Sequence, residues 1–220
     1  MAKTDTTSDM DTPRALSALI AELRATANEN KESISLKRIL DVFHERGFGV
    51  LLFLLALPAA LPVPALGINV IIALPILILT LQQSIGRRTV WMPETLKKRQ
   101  IKKKHLIGFL DKGMPLVRFI EIFFKPRLGF ITQGFFSLLI GILGTVFALS
   151  ITLPIPLTNT VPAMAVALMA IGVIMRDGLA VLCGAILGCA WVSALVYFAL
   201  VFGENGLILF KNMIKGILGL

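Results

Sequence analysis

Three long stretches of the chain carry no charged side chain. Residues 48–86, 128–175 and 178–203 contain no Asp, Glu, Lys, Arg or His, and each exceeds the about 18 to 20 apolar residues with which a helix crosses a bilayer. The first begins too late for a secretory leader, because the 46 residues before it are polar and contain acids. Within that polar part, residues 1–11 are rich in Thr, Ser and Asp and read as a disordered tail. Thr12-Pro13 has the form of an N-cap followed by proline in the first turn, which predicts a helix with Leu16, Leu19, Ile20 and Leu23 on one face. Asn28 to Ser33 interrupts it, and Ser35 is placed to cap a second helix showing Leu36, Ile39, Leu40 and Phe43. Residues 1–46 hold seven basic and eight acidic side chains, so attraction to anionic lipid alone would not hold these helices. Packing of residues 12–46 on the apolar part is expected in preference to an independent partner-binding hairpin.

The first two apolar stretches share an unusual order of features. One reads GFGVLLFLLALPAALPVPALGINVIIALPILILTLQQSIGRR from Gly47, and the other GILGTVFALSITLPIPLTNTVPAMAVALMAIGVIMRDG from Gly141. Placing Gly49 over Gly141, an offset of 141 − 49 = 92, puts Pro62 and Pro64 over Pro154 and Pro156. A small length difference then brings Asn69 near Asn159 and Arg87 near Arg176. Each proline removes an N–H and collides with the preceding turn, so Pro-x-Pro breaks a regular helix. Irregular backbone at membrane depth requires cover from protein or a watery cavity. The approach from Gly49 to Leu61 is also short of a hydrocarbon layer of about 30 Å at about 1.5 Å per residue. Each half is therefore either a tight hairpin turning at the far surface or a half-helix that re-enters in mid-membrane. Asn69 and Asn159 either cap the helices that follow or border a central polar site for a head group or ion. The fold class expected is an all-α polytopic membrane protein, its two proline-broken hairpins or re-entrant segments forming an internal repeat, with a further transmembrane helix over Leu179–Phe202.

Composition agrees, with 56% hydrophobic residues, a mean hydropathy of +0.83 and 16% charged residues against about 25% in soluble domains. The formal net charge of +9 is concentrated between the halves, where residues 87–127 carry twelve Lys or Arg and three acids. Lys97, Lys98, Arg99, Lys102, Lys103 and Lys104 form its densest part, and Pro93 is placed to open a helix there. This distribution puts the N-terminus and basic loop on the cytoplasmic side, with the cluster facing anionic membrane lipids. Leu106 to Phe124, interrupted by Asp111, Lys112, Arg118 and Glu121, reads as an interfacial amphipathic helix, with Trp91 near the lipid boundary. Arg46 and Arg87, then Arg127 and Arg176, return each half to that side, and the third stretch crosses outward towards Glu204. Residues 203–220 either lie in the outer interface or cross back. The resulting division is 1–11, 12–46, 47–86, 87–127, 128–202 and 203–220.

Chemistry-bearing motifs are few. His44 and His105 have no ligand partners at metal spacing, and no dinucleotide fingerprint, P-loop or nucleophile elbow occurs, so neither metal nor cofactor is expected. Cys183 and Cys189 stand six residues apart in the last apolar stretch and read as small core side chains. The apolar stretches offer no catalytic carboxylate or nucleophile-base pair, Asp177 beside Arg176 reading as interfacial, so catalysis is disfavoured. Nucleic-acid binding is not expected, because no stacking platform accompanies the basic cluster.

ISLKRILDVFHERGFGVLLFLLALPAALPVP, GRR with WMP at Trp91–Pro93, PRLGFIT at Pro126–Thr132, and LPIPLTNTVPA with RDG at Arg176–Gly178 together resemble the bacterial ExoD family from about Leu16 to Phe202. The resemblance implies a polytopic protein of the bacterial inner membrane with a role around exopolysaccharide production. The paired broken hairpins are also similar in plan to DedA-type proteins associated with lipid-carrier recycling, an analogy of architecture only. One expectation is an envelope protein that binds or translocates an anionic lipid or phosphorylated polyprenyl carrier, using Arg87, Arg176, Asn69 and Asn159. Those arginines can equally mark the cytoplasmic interface. The alternative function is a noncatalytic scaffold or regulator for polysaccharide-synthesis enzymes; the oligomeric state stays open.

Overall fold

Regular helix stops on both sides of each proline pair. The computed structural model describes residues 16–29, 33–43, 46–61, 68–153 and 159–202, with positions 212, 213 and 216 beyond them. Pro62, Pro64, Pro154 and Pro156 lie outside the described residues, as do the tail 1–11, the Thr12-Pro13 cap and Glu204. In chain order the elements are α1 (Leu16–Glu29), β1 (Ser33–Ser35), α2 (Leu36–Phe43), α3 (Gly47–Ala59), α4 (Ile68–Ser84), α5 (Glu94–Lys97), β2 (Gln100–Lys102), α6 (Lys103–Phe123), a 3₁₀ turn (Gly129–Thr132), α7 (Gly134–Thr152), α8 (Thr160–Met175) and α9 (Gly178–Phe202). The described chain is thus almost wholly helical. Of its helices, α7 and α9 are long and apolar enough to cross a bilayer.

Four of these helices make a ring in the cyclic order α3, α4, α7, α8, each packed on its two neighbours. At one end the start of α3, the turn after α4 and the start of α7 surround one cavity. At the other, Ala59 of α3, Ala73 of α4, Ile151 of α7 and Ala163 of α8 close into a single small cluster. Neighbouring helices therefore run antiparallel, and the last residues of α3 and α7 before the proline segments lie at the same end. Gly49 and Gly141 make this close packing possible. A Cβ on Gly49 would lie 2.9 Å from the carbonyl oxygen of Ala170 on α8, and one on Gly141 would strike the backbone of Gln83 and Ser84 on α4.

Helix α9 covers α8 and α7. Gly184 lets it approach the Ala165 carbonyl, and Gly188 lies under the ring of buried Phe147. This small-xxx-small face, of the kind that often joins membrane helices, is thus used within the chain. Cys183 and Cys189 are exposed on α9, which corrects their reading as core side chains. The inner face of α9 is set by Val181, Gly184, Gly188 and Leu195, and both cysteines project from other faces.

The outer surface of the ring is apolar at helical spacing. Ile71, Leu74, Ile78 and Leu81 form an exposed stripe on α4, with Ile71 73% exposed, and Ile85 continues it just past the helix end. Phe135, Leu139, Ile142, Val146 and Leu149 do the same on α7.

A polar-backed layer closes the ring at the end opposite the breaks. The α1 residues Leu16, Leu19, Ile20 and Leu23 are buried, joining Leu106, Leu110, Val117 and Ile120 of α6, with Ile174 and Met175 of α8, in one core. Residues 12–46 thus pack on the rest of the chain as far as they are described. A short antiparallel ribbon, with Ile34 opposite Ile101, ties this layer to the basic segment, and the Leu36 N–H donates to the Arg99 carbonyl at 3.0 Å. Ser35 accepts from the Arg38 N–H at 3.4 Å, as expected of the cap to α2. Helix α6 buries one stripe and leaves Phe109, Leu116, Phe119, Ile122 and Phe123 exposed beside it.

Candidate functional site

The end of α4 holds two consecutive glutamines in an otherwise apolar surrounding, and both are buried. The Gln82 side-chain oxygen accepts from the Trp91 N–H at 2.7 Å, which fastens the chain as it returns from the turn. Gln83, 1% exposed, donates through Nε2 to the Ser137 hydroxyl of α7 at 3.2 Å. Its Oε1 has no hydrogen-bond partner, a costly arrangement for a buried amide. Gly86 at φ +77° then reverses the chain. The Gly86 and Arg87 N–H groups donate to the carbonyls of Gln83 and Gln82, closing the helix in the manner of a C-terminal glycine cap.

Beyond that turn, Arg87 and Arg88 border a cavity of about 570 Å³, together with Phe48, Thr132, Gln133, Gly134 and Ser137, and with Phe130 and Val173 as further apolar wall. A volume of this size lies within the about 300–1,000 Å³ typical of small-molecule sites. Among the described residues, no acidic side chain lines it. The first turn of α7 opens onto the space, and Gln133 at its head makes no side-chain capping bond. The leading N–H groups of a helix have no intrahelical partner and carry a partial positive charge. The cavity therefore combines two guanidinium groups, a helix N-terminus and hydroxyl and amide side chains.

The other sequence-derived residues fall elsewhere. Asn159 is 5% exposed at the head of α8, and its side chain makes no capping bond to that helix. Asn69 is the second residue of α4, and its side chain lies outside the described part. The arginines stand at the opposite ends of these same helices, and 16 to 17 helical residues extend about 24–26 Å at about 1.5 Å each. The asparagines and arginines are thus not brought together around one small group. Arg176 caps α8 in the left-handed conformation at φ 53° and is not a lining residue of the cavity. Beside it Asp177, read as interfacial, is buried, and its Oδ1 accepts from the N–H groups of Leu179 and Ala180 at 3.0 and 3.3 Å. Its role is the N-cap of α9.

Two quoted motifs meet at this corner. The Gly178 N–H of RDG donates to the Arg127 carbonyl of PRLGFIT at 2.6 Å, and a Cβ on Gly178 would lie 2.5 Å from the Leu128 oxygen. Leu128 faces it with φ 52°, so two non-glycine residues in left-handed conformations shape one joint.

The basic cluster divides between two supports. Lys97, Lys98 and Arg99 lie on and after α5, where Lys97 pairs with Glu94 at 3.0 Å. That hydrogen bond, and then the Lys97 charge, hold the Glu94 carboxyl below its ordinary range. Lys102, Lys103 and Lys104 pass from the ribbon into α6 and border a wide surface groove with Asp111. Among the described residues no group of His, Cys, Asp or Glu has the arrangement of a metal site.

Arg88, Gln83, Thr132, Gln133 and Ser137 were not singled out by the sequence pattern. The Gln82-Gln83 pair and Gly86 were the available signals, but the pairing of the α4 end with the α7 start is a tertiary fact.

Residues 16–197 match the protein family described as "Exopolysaccharide synthesis, ExoD". The chain is 33% identical to Protein ExoD of Rhizobium meliloti over 194 residues, covering 86% of this chain and 78% of that protein. It is 32% identical to the uncharacterized protein slr1875 of Synechocystis sp. over 171 residues, covering 76% of this chain and 81% of that one. No solved structure matches the chain.

Proposed function

The chain belongs to the ExoD family, and from that premise we propose that it is a multi-pass protein of the bacterial inner membrane serving exopolysaccharide or cell-envelope production by binding or translocating an anionic lipid or phosphorylated polyprenyl carrier. The observation that carries the membrane part is the exposed apolar striping. Residues on the outer faces of α4 and α7 recur every three or four positions and are large and aliphatic or aromatic, while the opposite faces are already packed. A water-soluble chain rarely leaves such continuous apolar area uncovered; lipid covers it without cost. The basic layer lies at one end of the ring only, which supports a cytoplasmic position for it and for the N-terminus.

The two helical hairpins are read as an internal repeat. Gly49 and Gly141, matched by sequence, each admit the helix of the other hairpin, and Ala59, Ile151, Ala73 and Ala163 hold corresponding positions beside the two breaks. At about 1.5 Å per residue α3 is about 20 Å long, which favours a re-entrant hairpin over a full crossing. In this reading Arg87 and Arg176 attract the head group at the cytoplasmic end, and Asn69 and Asn159 receive it at the break end. They act in succession, since one helix length separates them.

Lipid-resolved native mass spectrometry of the purified protein tests this reading. Wild type is expected to retain an isoprenoid phosphate selectively, and a folded Asn69→Ala/Asn159→Ala variant to retain less. Retention of bulk phospholipid alone, equally by both proteins, would favour the scaffold reading instead.

A further inference from the structure

We infer that the crevice between α6 and the outer face of α3 is a phospholipid site, taking part of one hydrocarbon chain against Gly113 and the anionic phosphate of the same lipid at Lys112. The inference goes beyond the carrier function and concerns a place that shares no residue with the Arg87 cavity. It rests on the membrane part of that reading alone.

The crevice marks a boundary on α3. Val50, Leu54 and Leu57 recur at helical spacing on one face of that helix, and Leu61 continues the row just past its end. Val50 is half-buried against the core that α1 shares with α6, whereas Leu54, Leu57 and Leu61 are exposed. Helix α6 takes its main packing from α1, and its edge does not close on α3. A cavity of about 130 Å³ remains at the seam, bordered by Val50, Phe53 and Leu54 on one side and by Phe109, Gly113 and Leu116 on the other. The rest of its lining is apolar as well. A cavity of about this size and character stays dry and admits hydrocarbon. Leu54, Phe109 and Leu116 are exposed at its mouth, so a lipid lying along the bare part of the α3 row can turn a segment of chain into it.

Gly113 is what keeps the seam open. Glycine in the interior of a helix is unfavourable relative to alanine, and neither close packing nor a left-handed backbone asks for it at this position. A Cβ there would meet nothing within 4 Å, and Gly113 is not among the glycines with positive φ. Its missing side chain is accounted for by the space it leaves beside Phe109 and Leu116.

Charge selects the head group. Both acids of α6 are engaged by α1: Asp111 pairs with Arg24 at 3.3 Å, and Glu121 accepts from the Ser17 N–H at 2.7 Å. Lys112 stands between Phe109 and Leu116 on the exposed edge, one turn from each, and has no ion-pair partner among the described residues. A lysine in such a setting lays its methylenes on apolar surface and holds its ammonium at the water boundary, where the phosphates of an anionic leaflet lie. Phe119 and Phe123, exposed and with ring centroids 4.7 Å apart, extend the same edge in the manner of a helix lying in the interface. One cation beside a chain site suits a phosphate diester, which carries a single negative charge.

Photocrosslinking of the full chain tests the inference, in phosphatidylcholine vesicles holding a small fraction of phosphatidylglycerol with a diazirine on one acyl chain. Wild type is expected to label at residues 50–54 and 109–116 above the exposed α7 stripe at Leu139 and Ile142. Replacing phosphatidylcholine by unlabelled phosphatidylglycerol, at constant photolabel, should reduce the crevice label and leave that on α7. Gly113→Leu fills the seam and should lose the crevice label while keeping its α7 label and its thermal melting. Lys112→Gln should lower the preference for phosphatidylglycerol over phosphatidylcholine bearing the same photolabel by about fivefold, the worth of one basic charge near an anionic surface. Undiminished crevice label in Gly113→Leu, or crevice label in wild type no stronger than that on α7, overturns the chain site. Equal crevice labelling by the two lipids in wild type overturns the head-group assignment. Failure of the membrane reading would show separately, as absence of label from the α7 stripe and release of the protein from the vesicles by carbonate washing.

Discussion

Glycines set how closely the helices approach, and their surroundings grade what substitution does. At Gly141 the obstacle is backbone of α4, at Gly49 it includes the Ala170 carbonyl, and at Gly188 it is the ring of Phe147. Backbone cannot swing aside as a side-chain end can, so Gly141→Leu is expected to separate α4 from α7. Overpacking of this kind costs about 1–3 kcal/mol or more, and Gly141→Leu should lower the melting temperature in detergent further than Gly113→Leu, where a Cβ meets nothing within 4 Å. Equal melting of the two variants would contradict the close approach. Asp177 provides a second check at this scale. Removing its carboxylate leaves two N–H groups at the start of α9 without their acceptor, so Asp177→Ala should destabilise by about 0.5–2 kcal/mol, with Asp177→Asn recovering much of the loss. The cysteines show what residue type alone conceals. A helix that is apolar on every face has no compositional inside and outside, so small sulfur side chains at 183 and 189 gave no sign of facing outward.

At the scale of elements, strong punctuation made helices legible and weak punctuation hid the rest. The paired prolines delimited α3 from α4 and α7 from α8, and the periodic leucines marked α1, whose stripe is buried as read. The ribbon β1–β2 was not legible, because three residues on each side, SIS and QIK, carry no alternation long enough to register. Its pairing joins segments about 67 residues apart (Ile34 opposite Ile101 is 101 − 34). The cavity was hidden for the same reason: Arg87 stood out as the first charge after an apolar stretch, but its neighbours Gln133 and Ser137 come from another hairpin. The ribbon and the α1–α6 core also change how the scaffold alternative is examined. Removing residues 1–33 would expose apolar area on α6 and would not be a clean loss of a partner surface. Leu23→Ala is more informative: the side chain is fully buried between α1 and its neighbours, and truncation there should cost about 2–5 kcal/mol. Limited proteolysis should then cut the α1–α2 region sooner than wild type while α7 to α9 remain protected.

Across the whole molecule, polarity is distributed along one axis. Charged and polar side chains accumulate where α1, α2, α5 and α6 cover the ring, and the far end holds the alanine-rich cluster beside the breaks. That gradient, with twelve basic residues between positions 87 and 127, defines an orientation that a single thiol can report. Cys183 and Cys189 are first replaced by serine, and Lys98→Cys then places a thiol in the exposed part of the basic layer. A membrane-impermeant maleimide should label this variant in inside-out vesicles and fail to do so in intact spheroplasts. Leu74→Cys, in the middle of the outer stripe of α4, should resist the charged reagent in both preparations, because thiolate formation and access both require water. Labelling of Lys98→Cys from the outside would reverse the orientation, and with it the side from which the Arg87 cavity is reached. Labelling of Leu74→Cys in intact membranes would instead place water, or a protein partner shed on lysis, against the stripe that supports the bilayer reading.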